Sequence, residues 1–293
     1  MAISLVTQFQ PYTDEIFTTE SKKSLLTNQD FSWTGAHSIK VYKIGTSEMQ
    51  DYSRNPVQGF TGSRYGTIHD LDAATEEFTL KNDRSFTFAI DKLDNDETAQ
   101  QLAAASALAR QVREKVVPEV DSYTYGAMCE NAGTKPAAAA LSAESIFDEI
   151  LKANNELDNA EVPETGRILV VTPDVYTMMK RSKDIIMETD IAEDMRLRGV
   201  IAMMDGATVI KVPAVRLPEN FGFMLAHPCA TVAPTKLEDY KVHEDPPGIS
   251  GSLVEGRICY DAFVLDNKVK AIYYQEQAAK TVTKENSGTQ ETK

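Results

Sequence analysis

The sequence has few of the residues and runs that build disulfide frameworks, zinc sites or membrane spans. Its three cysteines are odd in number and far apart, and none stands in a C-x-x-C pair, which argues against a disulfide framework and a zinc site. Free thiols are typical of a reducing cytoplasm. No apolar run approaches the roughly 18 residues of a membrane-spanning helix, and the N-terminus lacks the basic region and apolar core of a signal peptide. We therefore expect no membrane partner.

Basic residues are also scarce. The 293-residue chain has 30 Lys and Arg residues against 44 Asp and Glu residues, which gives a formal net charge of −14. Proteins that grip nucleic-acid backbones collect Lys and Arg on one face, whereas no basic run here is longer than two residues, as in Lys180-Arg181. An acidic surface mainly keeps a protein soluble. A protein whose main role is to bind phosphate backbones is therefore not expected.

The usual signatures of catalysis and cofactor binding are missing. There is no G-x-G-x-x-G, G-x-x-x-x-G-K-[ST], H-E-x-x-H or G-x-S-x-G pattern. The four histidines have no metal-ligand spacing, and the acidic run at 91–97 lacks the glycine of a calcium loop. We predict no enzyme, no cofactor and no metal, although a Ser-His-Asp triad, whose members can lie far apart in sequence, stays open.

The N-terminal region contains aromatic residues that are spaced among polar ones. Residues 1–35 show no clear periodicity but include Phe9, Tyr12 and Phe17. Because large aromatic side chains favour burial, an arm that lies across something else explains them at least as well as a mobile tail does.

A long polar stretch follows between two alternating runs. Alternation predicts strands at 37–44, 76–81 and 85–90, with a turn at 82–84. The stretch at 45–75 carries Tyr52, Phe60 and Tyr65 and is too long for a loop inside a compact domain. A projecting hairpin explains it. Since an isolated two-stranded hairpin is marginal in water, it should lie on a neighbouring molecule.

A long helix and a mixed block come next. The helix is predicted over 94–131, with Pro118 expected to kink or divide it. Ser142 should cap a second helix whose buried stripe is Ile146, Ile150, Ala153 and Leu157. Further elements are predicted as a buried strand at 168–171, a helix opened by Thr172-Pro173, a hairpin at Asp205-Gly206 and a strand at 223–226.

The last block is rich in strand patterns. Strands are predicted at 239–244, 253–265 and 268–274, with a tight turn at 266–267. The polar segment 277–293 is expected to be disordered. The arm, the projecting hairpin and the long helix together leave apolar surface that one chain cannot cover, and a monomer of this kind would expose large patches. The sequence therefore predicts a protein completed by copies of itself.

Four segments carry a resemblance to a known family. They are SFTFAIDKLDNDET at 85–98, VVPEVDSYTYGAM at 116–128, VPETGRILVVTPDVYTMMKRS at 162–182, and 205–220 taken together with 233–274. In their order and spacing they resemble the major capsid protein of tailed bacteriophages. The resemblance covers nearly the whole chain except the C-terminal tail. It implies an α+β fold of the Hong Kong 97 type, with an N-terminal arm, an extended hairpin loop, a long spine helix beside a peripheral β-sheet, and an α/β axial domain.

The resemblance also implies a division of the chain. The expected units are the arm at 1–35, the extended loop at 36–80, the peripheral domain at 81–134 with 229–276, the axial domain at 135–228 and the tail at 277–293. It implies contacts between subunits through Tyr52, Arg54, Phe60, Arg64 and Tyr65 of the loop and through Phe9, Tyr12 and Phe17 of the arm. Some members join a loop lysine to an asparagine of a neighbour, but this chain has no lysine between Lys43 and Lys81. We therefore predict no such cross-link.

The implied partners are those of a phage head. The protein would bind itself in pentamers and hexamers of an icosahedral shell and enclose double-stranded DNA without reading its sequence. A separate scaffolding protein, a portal protein and a possible decoration protein are further implied partners. The protein would be found in the virion, after assembly in the cytoplasm of the bacterial host.

Two alternatives stay open. A shell of the same fold could be an encapsulin-like nanocompartment that holds an enzyme cargo. From another class, the block at 135–228 could be a small-molecule-binding or hydrolytic α/β domain with a site near Thr172, where a buried strand ends.

Overall fold

The structure is a computed structural model that describes residues 21–28, 38–44, 48–52, 54, 64–65, 70, 73–93, 104–182 and 203–278. Four of the residues expected to contact a neighbouring subunit, Phe9, Tyr12, Phe17 and Phe60, lie outside these ranges, as do 183–202 and the tail from 279 onward.

The described residues form strands in several small sheets and one long helical segment. The strands are β1 (Ser38–Ile44), β2 (Ala73–Thr79), β3 (Asn82–Asp91), β4 (Ile168–Val171), β5 (Met203–Met204), β6 (Ala207–Lys211), β7 (Phe221–Ala226), β8 (Thr231–Val232), β9 (Thr235–Glu244), β10 (Gly251–Tyr260), β11 (Phe263–Val264) and β12 (Ile272–Glu276). The α-helices are α1 (Lys23–Leu26), α2 (Ala104–Gln111), α3 (Val117–Glu130), α4 (Ile146–Asn159) and α5 (Pro173–Arg181).

The base of the predicted N-terminal hairpin is present. β1 and β2 pair antiparallel over their whole length, from Ser38 opposite Thr79 to Ile44 opposite Ala73. The turn predicted at 82–84 is wrong, because these residues begin β3, which belongs to a different sheet. The Arg257 guanidinium donates two hydrogen bonds to the Asp83 carboxylate. The antiparallel pairing of β3 with β10, which runs from Asn82 opposite Tyr260 to Asp91 opposite Gly251, outweighs the turn preference of an Asn-Asp sequence.

The predicted spine helix is continuous from Ala104 to Glu130, and the predicted residues before 104 lie outside the described part of the helix. Pro118 does not interrupt it. Between α2 and α3 the segment Val112–Val116 forms a π-helical turn, in which the Val117 amide donates to the Val112 carbonyl five residues back. This wider turn lets the chain pass the proline, whose missing N–H and bulky ring disrupt an ordinary helical turn.

The spine packs against an antiparallel sheet in the order β3-β10-β9. Val116 and Val120 of the spine form a small buried cluster with Ile258 and Tyr260 of β10. Gly256, in the middle of β10, lies directly against the Phe86 ring. A Cβ atom at this position would come within 2.3 Å of that ring. A glycine is needed at this position because the aromatic side chain of the neighbouring strand occupies its face of the sheet.

The chain between 253 and 276 differs from the sequence prediction. The strand predicted over 253–265 ends at Tyr260, and β11 resumes in a separate two-stranded sheet with β8. Asp266–Ala271 is a 3-10 helix and not the start of a strand. β12, which the resemblance assigned to the peripheral unit, pairs with β7. Both strands belong to a five-stranded sheet, which we call the larger sheet. Apolar alternation predicts that a segment is extended, but it does not say which sheet the segment joins.

The larger sheet has the order β12-β7-β4-β6-β5, with β4 and β6 parallel. Every residue of β4 and β7 is buried. One face packs under α4 and α5, and the other packs against α3 through residues such as Tyr125 and Met128. The sheet is thus covered by helices on both sides, which explains the continuous apolar runs of its central strands.

Several local predictions in this block are confirmed, but the cap predicted at Ser142 is wrong. α4 begins at Ile146, after Ser145, and the Ser142 hydroxyl accepts from the Glu144 and Ser145 amides in the preceding turn. The α4 stripe of Ile146, Ile150, Ala153 and Leu157 is buried. The Thr172 hydroxyl accepts a hydrogen bond from the Val175 amide and so caps α5. Asp205 and Gly206 both have positive φ, at 46° and 74°, as a tight hairpin turn requires.

Candidate assembly surfaces

Tyr52 and Tyr65 continue the hairpin beyond its two strands. The β1–β2 register ends with Ile44 opposite Ala73, and Tyr52 and Tyr65 each stand eight residues further along that same register. Their rings contact each other edge to face, with centroids 5.0 Å apart. The two chain segments therefore lie side by side again well past β1 and β2, as a projecting hairpin requires.

This region presents aromatic and basic groups to its surroundings. Tyr52 is 49% exposed and Tyr65 78% exposed. Arg54 and Arg64, which stand two residues after Tyr52 and one before Tyr65, are exposed as well. We call residues 52–65 the hairpin tip. Its sequence contains these two arginines and no acidic residue.

The base of the hairpin is fixed to the body by charge. The Lys43 ammonium donates to the Asp266 carboxylate at 2.5 Å and lies 3.1 Å from Glu76. The hydrogen bond to Asp266 raises the pKa of Lys43 above its usual value, and the same bond lowers the pKa of Asp266. Both shifts favour the charged forms, so the contact is an ion pair at neutral pH.

Apolar and buried polar contacts add to this anchor. The Phe78 ring of β2 contacts the Phe263 ring, with centroids 4.7 Å apart. Asp261 is 2% exposed and accepts hydrogen bonds from the Lys81 amide at 2.9 Å and the Tyr123 hydroxyl at 2.7 Å. The hairpin thus leaves the body at a position that the spine helix and the β10–β11 segment define.

An open groove of about 640 Å³ lies between the hairpin base and the spine helix. Its apolar lining includes Phe78, Phe263 and the small residues Gly126 and Ala127 of α3. Four acidic residues and one lysine also line it, namely Glu76, Glu130, Asp261, Asp266 and Lys81. We call it the hairpin–helix groove.

The end of the predicted arm packs onto the rest of the same chain. Leu26 of α1 is fully buried in the core beneath the larger sheet. The Asn28 amide donates to the Thr231 carbonyl at 2.7 Å, and Lys22 donates to the Lys211 carbonyl at 3.3 Å. The expectation that 1–35 as a whole lies across something else is therefore wrong for 21–28, which belongs to the subunit core.

A buried ion pair that no sequence pattern indicated stands beside this segment. Arg216 donates to Asp121 at 2.8 Å, and the two side chains are 7% and 2% exposed. The Ser21 hydroxyl donates to the other Asp121 oxygen at 2.6 Å. Asp121 sits among apolar residues of α3, and that is the one sequence signal that could have pointed to a buried partner.

The structure gives no support to a site near Thr172. Thr172 is 6% exposed, and its hydroxyl is engaged as a helix cap. In the part of the chain that the structure describes, no group of three His, Cys, Asp or Glu side chains is placed to hold a metal ion. Within the same ranges, no helix has the length and apolar character to cross a membrane.

The three cysteines are unbonded. Cys129 is buried in α3 beneath the larger sheet, and burial raises the pKa of its thiol to about 12. Burial also raises the pKa of Cys229. A thiol that stays protonated is a poor nucleophile, so Cys129 is not suited to covalent chemistry.

Comparisons by sequence find no relative, whereas comparisons by structure find many. No protein-family model matches the chain, and no curated protein matches it. A structure from Mycobacterium phage Che8 superposes with a TM-score of 0.74 at 17% identity, covering 92% of this chain and 96% of that one. The capsid structure of the cyanophage P-SCSP1u gives a TM-score of 0.73 at 13% identity, with 93% of each chain covered.

A third similarity comes from outside the phages. The virus-like particle from Pyrococcus furiosus has a TM-score of 0.53 at 12% identity, covering 88% of this chain and 92% of that one. The likeness to the phage structures extends over almost the full length of both chains and includes the mixture of helices and sheets described above. The chain therefore has the Hong Kong 97-type α+β fold of tailed-phage capsids.

Proposed function

We propose that this chain is the major capsid protein of a tailed bacteriophage and assembles with copies of itself into the icosahedral shell that encloses the double-stranded DNA genome. The observation that carries the proposal is the full-length likeness to phage capsid structures. The anchored hairpin with its exposed aromatic tip supports it, because such a surface is covered only when a neighbouring molecule is present.

The proposed units are those of a capsid subunit. The block at 135–228 would point at the centres of five- and six-membered rings, whose head-to-tail contacts close by rotation. The segments 81–134 and 229–276 would form the peripheral domain, except for β12, which pairs with β7 of the larger sheet. The hairpin at 36–80 would reach neighbouring copies through Tyr52, Arg54, Phe60, Arg64 and Tyr65. The arm at 1–35, apart from 21–28, which packs on its own chain, would do so through Phe9, Tyr12 and Phe17.

The acidic charge fits a shell wall that does not bind its contents tightly. Each copy carries −14, so a strongly basic inner surface is not expected from composition. A wall with little affinity for DNA would not oppose the movement of DNA during packaging. A separate scaffolding protein, a portal and a decoration protein are the further partners that we propose, with assembly in the host cytoplasm and a final place in the virion. No catalytic role is proposed.

Electron microscopy of the purified protein tests the proposal directly. We expect uniform hollow shells. A monodisperse 32.4 kDa species that turns over a small-molecule substrate would contradict the proposal and favour the α/β enzyme alternative.

A nanocompartment shell is the second candidate, and the likeness to the Pyrococcus furiosus virus-like particle favours it. The two candidates predict the same particle with different contents. Shells taken from the natural host should hold double-stranded DNA if the chain is a phage capsid protein. A folded protein cargo in place of DNA would support the nanocompartment.

A further inference from the structure

The outer edge of β9 has no partner strand among the described residues. The peripheral sheet has the order β3-β10-β9, so β9 (Thr235–Glu244) pairs with β10 on one side only. Its other side carries backbone N–H and C=O groups that can pair with a further strand. The second half of this edge, residues 241–244, is exposed. A strand edge of this length can accept a strand from another molecule.

The two faces of β9 differ in character. Tyr240 stacks against Phe86, with centroids 6.1 Å apart, on the face that packs under the spine helix. Asp239 and Lys241, on the opposite face, form an ion pair at 2.8 Å, and their side chains are 43% and 58% exposed. The edge therefore presents a negative and a positive charge on either side of a tyrosine.

A two-fold axis restricts how β9 could pair with the same strand of a second copy. Such an axis, perpendicular to the sheet, makes the two strands antiparallel and keeps every side chain on its own face. Residues that lie opposite each other in an antiparallel pair point to the same face, whereas neighbours along one strand point to opposite faces. One residue must therefore lie opposite its own copy, and that residue defines the register.

Charge distinguishes one register from the others. The two longest pairings are centred on Asp239 and on Tyr240, in the middle of the strand. A centre at Asp239 places two carboxylates opposite each other, and a centre at Glu238 or Lys241 also places a charge opposite its own copy, which is unfavourable. A centre at Tyr240 places Asp239 opposite Lys241 in both halves of the contact.

This order of charges is not one that keeps an edge apart from its own copy. Charged side chains protect an edge strand when like charges meet in the unwanted pairing. In the register centred on Tyr240, each Lys241 ammonium would instead lie between the Asp239 carboxylate of its own strand and that of the other strand. Four charges of alternating sign would form a network, which contributes more than an isolated surface pair does.

A shell built from rings also needs contacts of this symmetry. Head-to-tail contacts close five- and six-membered rings, whereas neighbouring rings of an icosahedral shell meet across two-fold axes, where one surface faces a second copy of itself. β9 belongs to the segment 229–276, which we assigned to the peripheral domain, and not to the block assigned to the ring centres.

We propose that β9 of one subunit pairs antiparallel with β9 of a second copy across a two-fold axis, in the register that places Tyr240 opposite Tyr240 and Asp239 opposite Lys241. This inference rests on the proposed function, because it assumes that copies of the chain assemble. It goes further by naming a self-complementary contact and its register. Two three-stranded sheets would thereby join into one continuous sheet.

A disulfide at the centre tests the register. Residues that lie opposite each other in an antiparallel pair have Cα atoms about 4.5–5.5 Å apart, which a disulfide can span. Tyr240→Cys shells treated with oxidised glutathione should therefore give a band at twice the chain mass on a non-reducing denaturing gel, and reduction should remove it. Wild-type shells measure the background from the native cysteines. Glu238→Cys is the matched control, because its two copies would lie roughly 13 Å apart and should not link.

A second pair of cysteines avoids any change to Tyr240, whose ring packs on Phe86. Glu238 and Val242 are exposed and would lie opposite each other in the proposed register. Mixed shells of Glu238→Cys and Val242→Cys subunits should therefore form linked dimers, whereas shells of either variant alone should not.

Charge exchange tests the proposed ion pairs. Asp239→Lys should lower the fraction of protein in shells about tenfold or more, because it places like charges opposite each other in both halves of the contact. Asp239→Lys combined with Lys241→Asp restores both pairs and should assemble to within about twofold of the wild type. Glu164→Lys is the control, since it makes the same change in net charge at an exposed residue outside the sheet.

The outcomes separate this contact from the proposed function. Shells that form normally but give no linked dimer in either cysteine experiment would overturn the contact and leave the proposed function intact. Linked dimers from Glu238→Cys alone would overturn the register. An exchanged double variant that fails to assemble while its circular dichroism stays native would overturn the ion pairs. Failure of the wild type to form any particle would instead count against the proposed function.

Discussion

At the scale of single residues, Asp121 is a junction between three parts of the chain. It lies on the spine helix, accepts from Arg216 in the connection before β7, and accepts from Ser21 next to α1. Ser21, Asp121 and Arg216 are far apart in sequence. Their hydrogen bonds therefore connect the end of the arm, the spine helix and the segment that leads into the larger sheet. A buried carboxylate without its cationic partner would be strongly unfavourable.

Replacing Arg216 by Met should therefore destabilise the subunit. We expect the free energy of unfolding to fall by about 3–5 kcal/mol, because the substitution leaves the Asp121 charge buried without its cationic partner. Urea titration of the unassembled subunit measures this. Arg257→Met is the control, since its pair with Asp83 is largely exposed and should contribute little. If the two variants unfolded at similar urea concentrations, another group would have to stabilise the buried Asp121 charge.

The thiol of Cys129 should resist alkylation in the folded subunit. Burial raises the pKa of this thiol to about 12, so very little of it is ionised at pH 8. Because the pKa is raised, the reactive thiolate appears only as the pH approaches that value or as the fold opens. Mass spectrometry after iodoacetamide treatment should show Cys129 unmodified until urea is added. Rapid native labelling would mean that this part of the core opens readily.

At the scale of elements, the hairpin is firmly held at one end and uncovered at the other. Its base is bound by the Lys43–Asp266 pair and the Phe78–Phe263 contact. Its tip brings Tyr52 and Tyr65 together but leaves much of both rings exposed. An element built this way contributes little to the stability of its own chain through its tip, because much of the aromatic surface there is exposed.

Changing the tip should separate folding from assembly. Replacing Phe60 and Tyr65 together by Ser is expected to abolish shells while leaving a soluble subunit with an unchanged melting temperature, because Tyr65 is largely exposed. Sedimentation and electron microscopy measure assembly, and circular dichroism measures the fold. Val215→Ser, at a residue that is 93% exposed elsewhere on the subunit, should assemble normally. Normal shells from the double variant would show that the hairpin tip makes no essential contact.

The elements also show what sequence patterns can and cannot predict here. The α4 stripe and the buried strand β4 were predictable because the periodicity that marks them is local. The partner of β12 was not, since any extended apolar segment can join either sheet until the chain is folded. The aromatic residues of 45–75 indicated a projecting hairpin. The groove, by contrast, is lined by residues from β2, α3 and the β11 region. These segments are far apart in sequence, so no local pattern predicts that they lie together.

At the scale of the whole molecule, the proposed assembly would bring together copies of an acidic chain that all carry the same charge. Each copy carries −14, so the average interaction between approaching copies is repulsive. Association then depends on local complementarity, and the hairpin tip is a segment with arginine and no acid. Repulsion elsewhere limits wrong contacts, since like charges facing each other cost free energy. Acidity and assembly are therefore compatible if the basic tip meets an acidic surface.

The assembled particle should hold together without covalent bonds between subunits. The resemblance to phage capsid proteins allows for a cross-link from a loop lysine, but no lysine lies between Lys43 and Lys81. Lys43 itself is held at the hairpin base by Asp266 and Glu76, far from the tip. Mature particles boiled in detergent should thus run as one band at 32.4 kDa on a denaturing gel. A ladder of linked subunits would show that another lysine reaches a neighbour, and Lys81, which lines the groove, would be the first to replace by Arg.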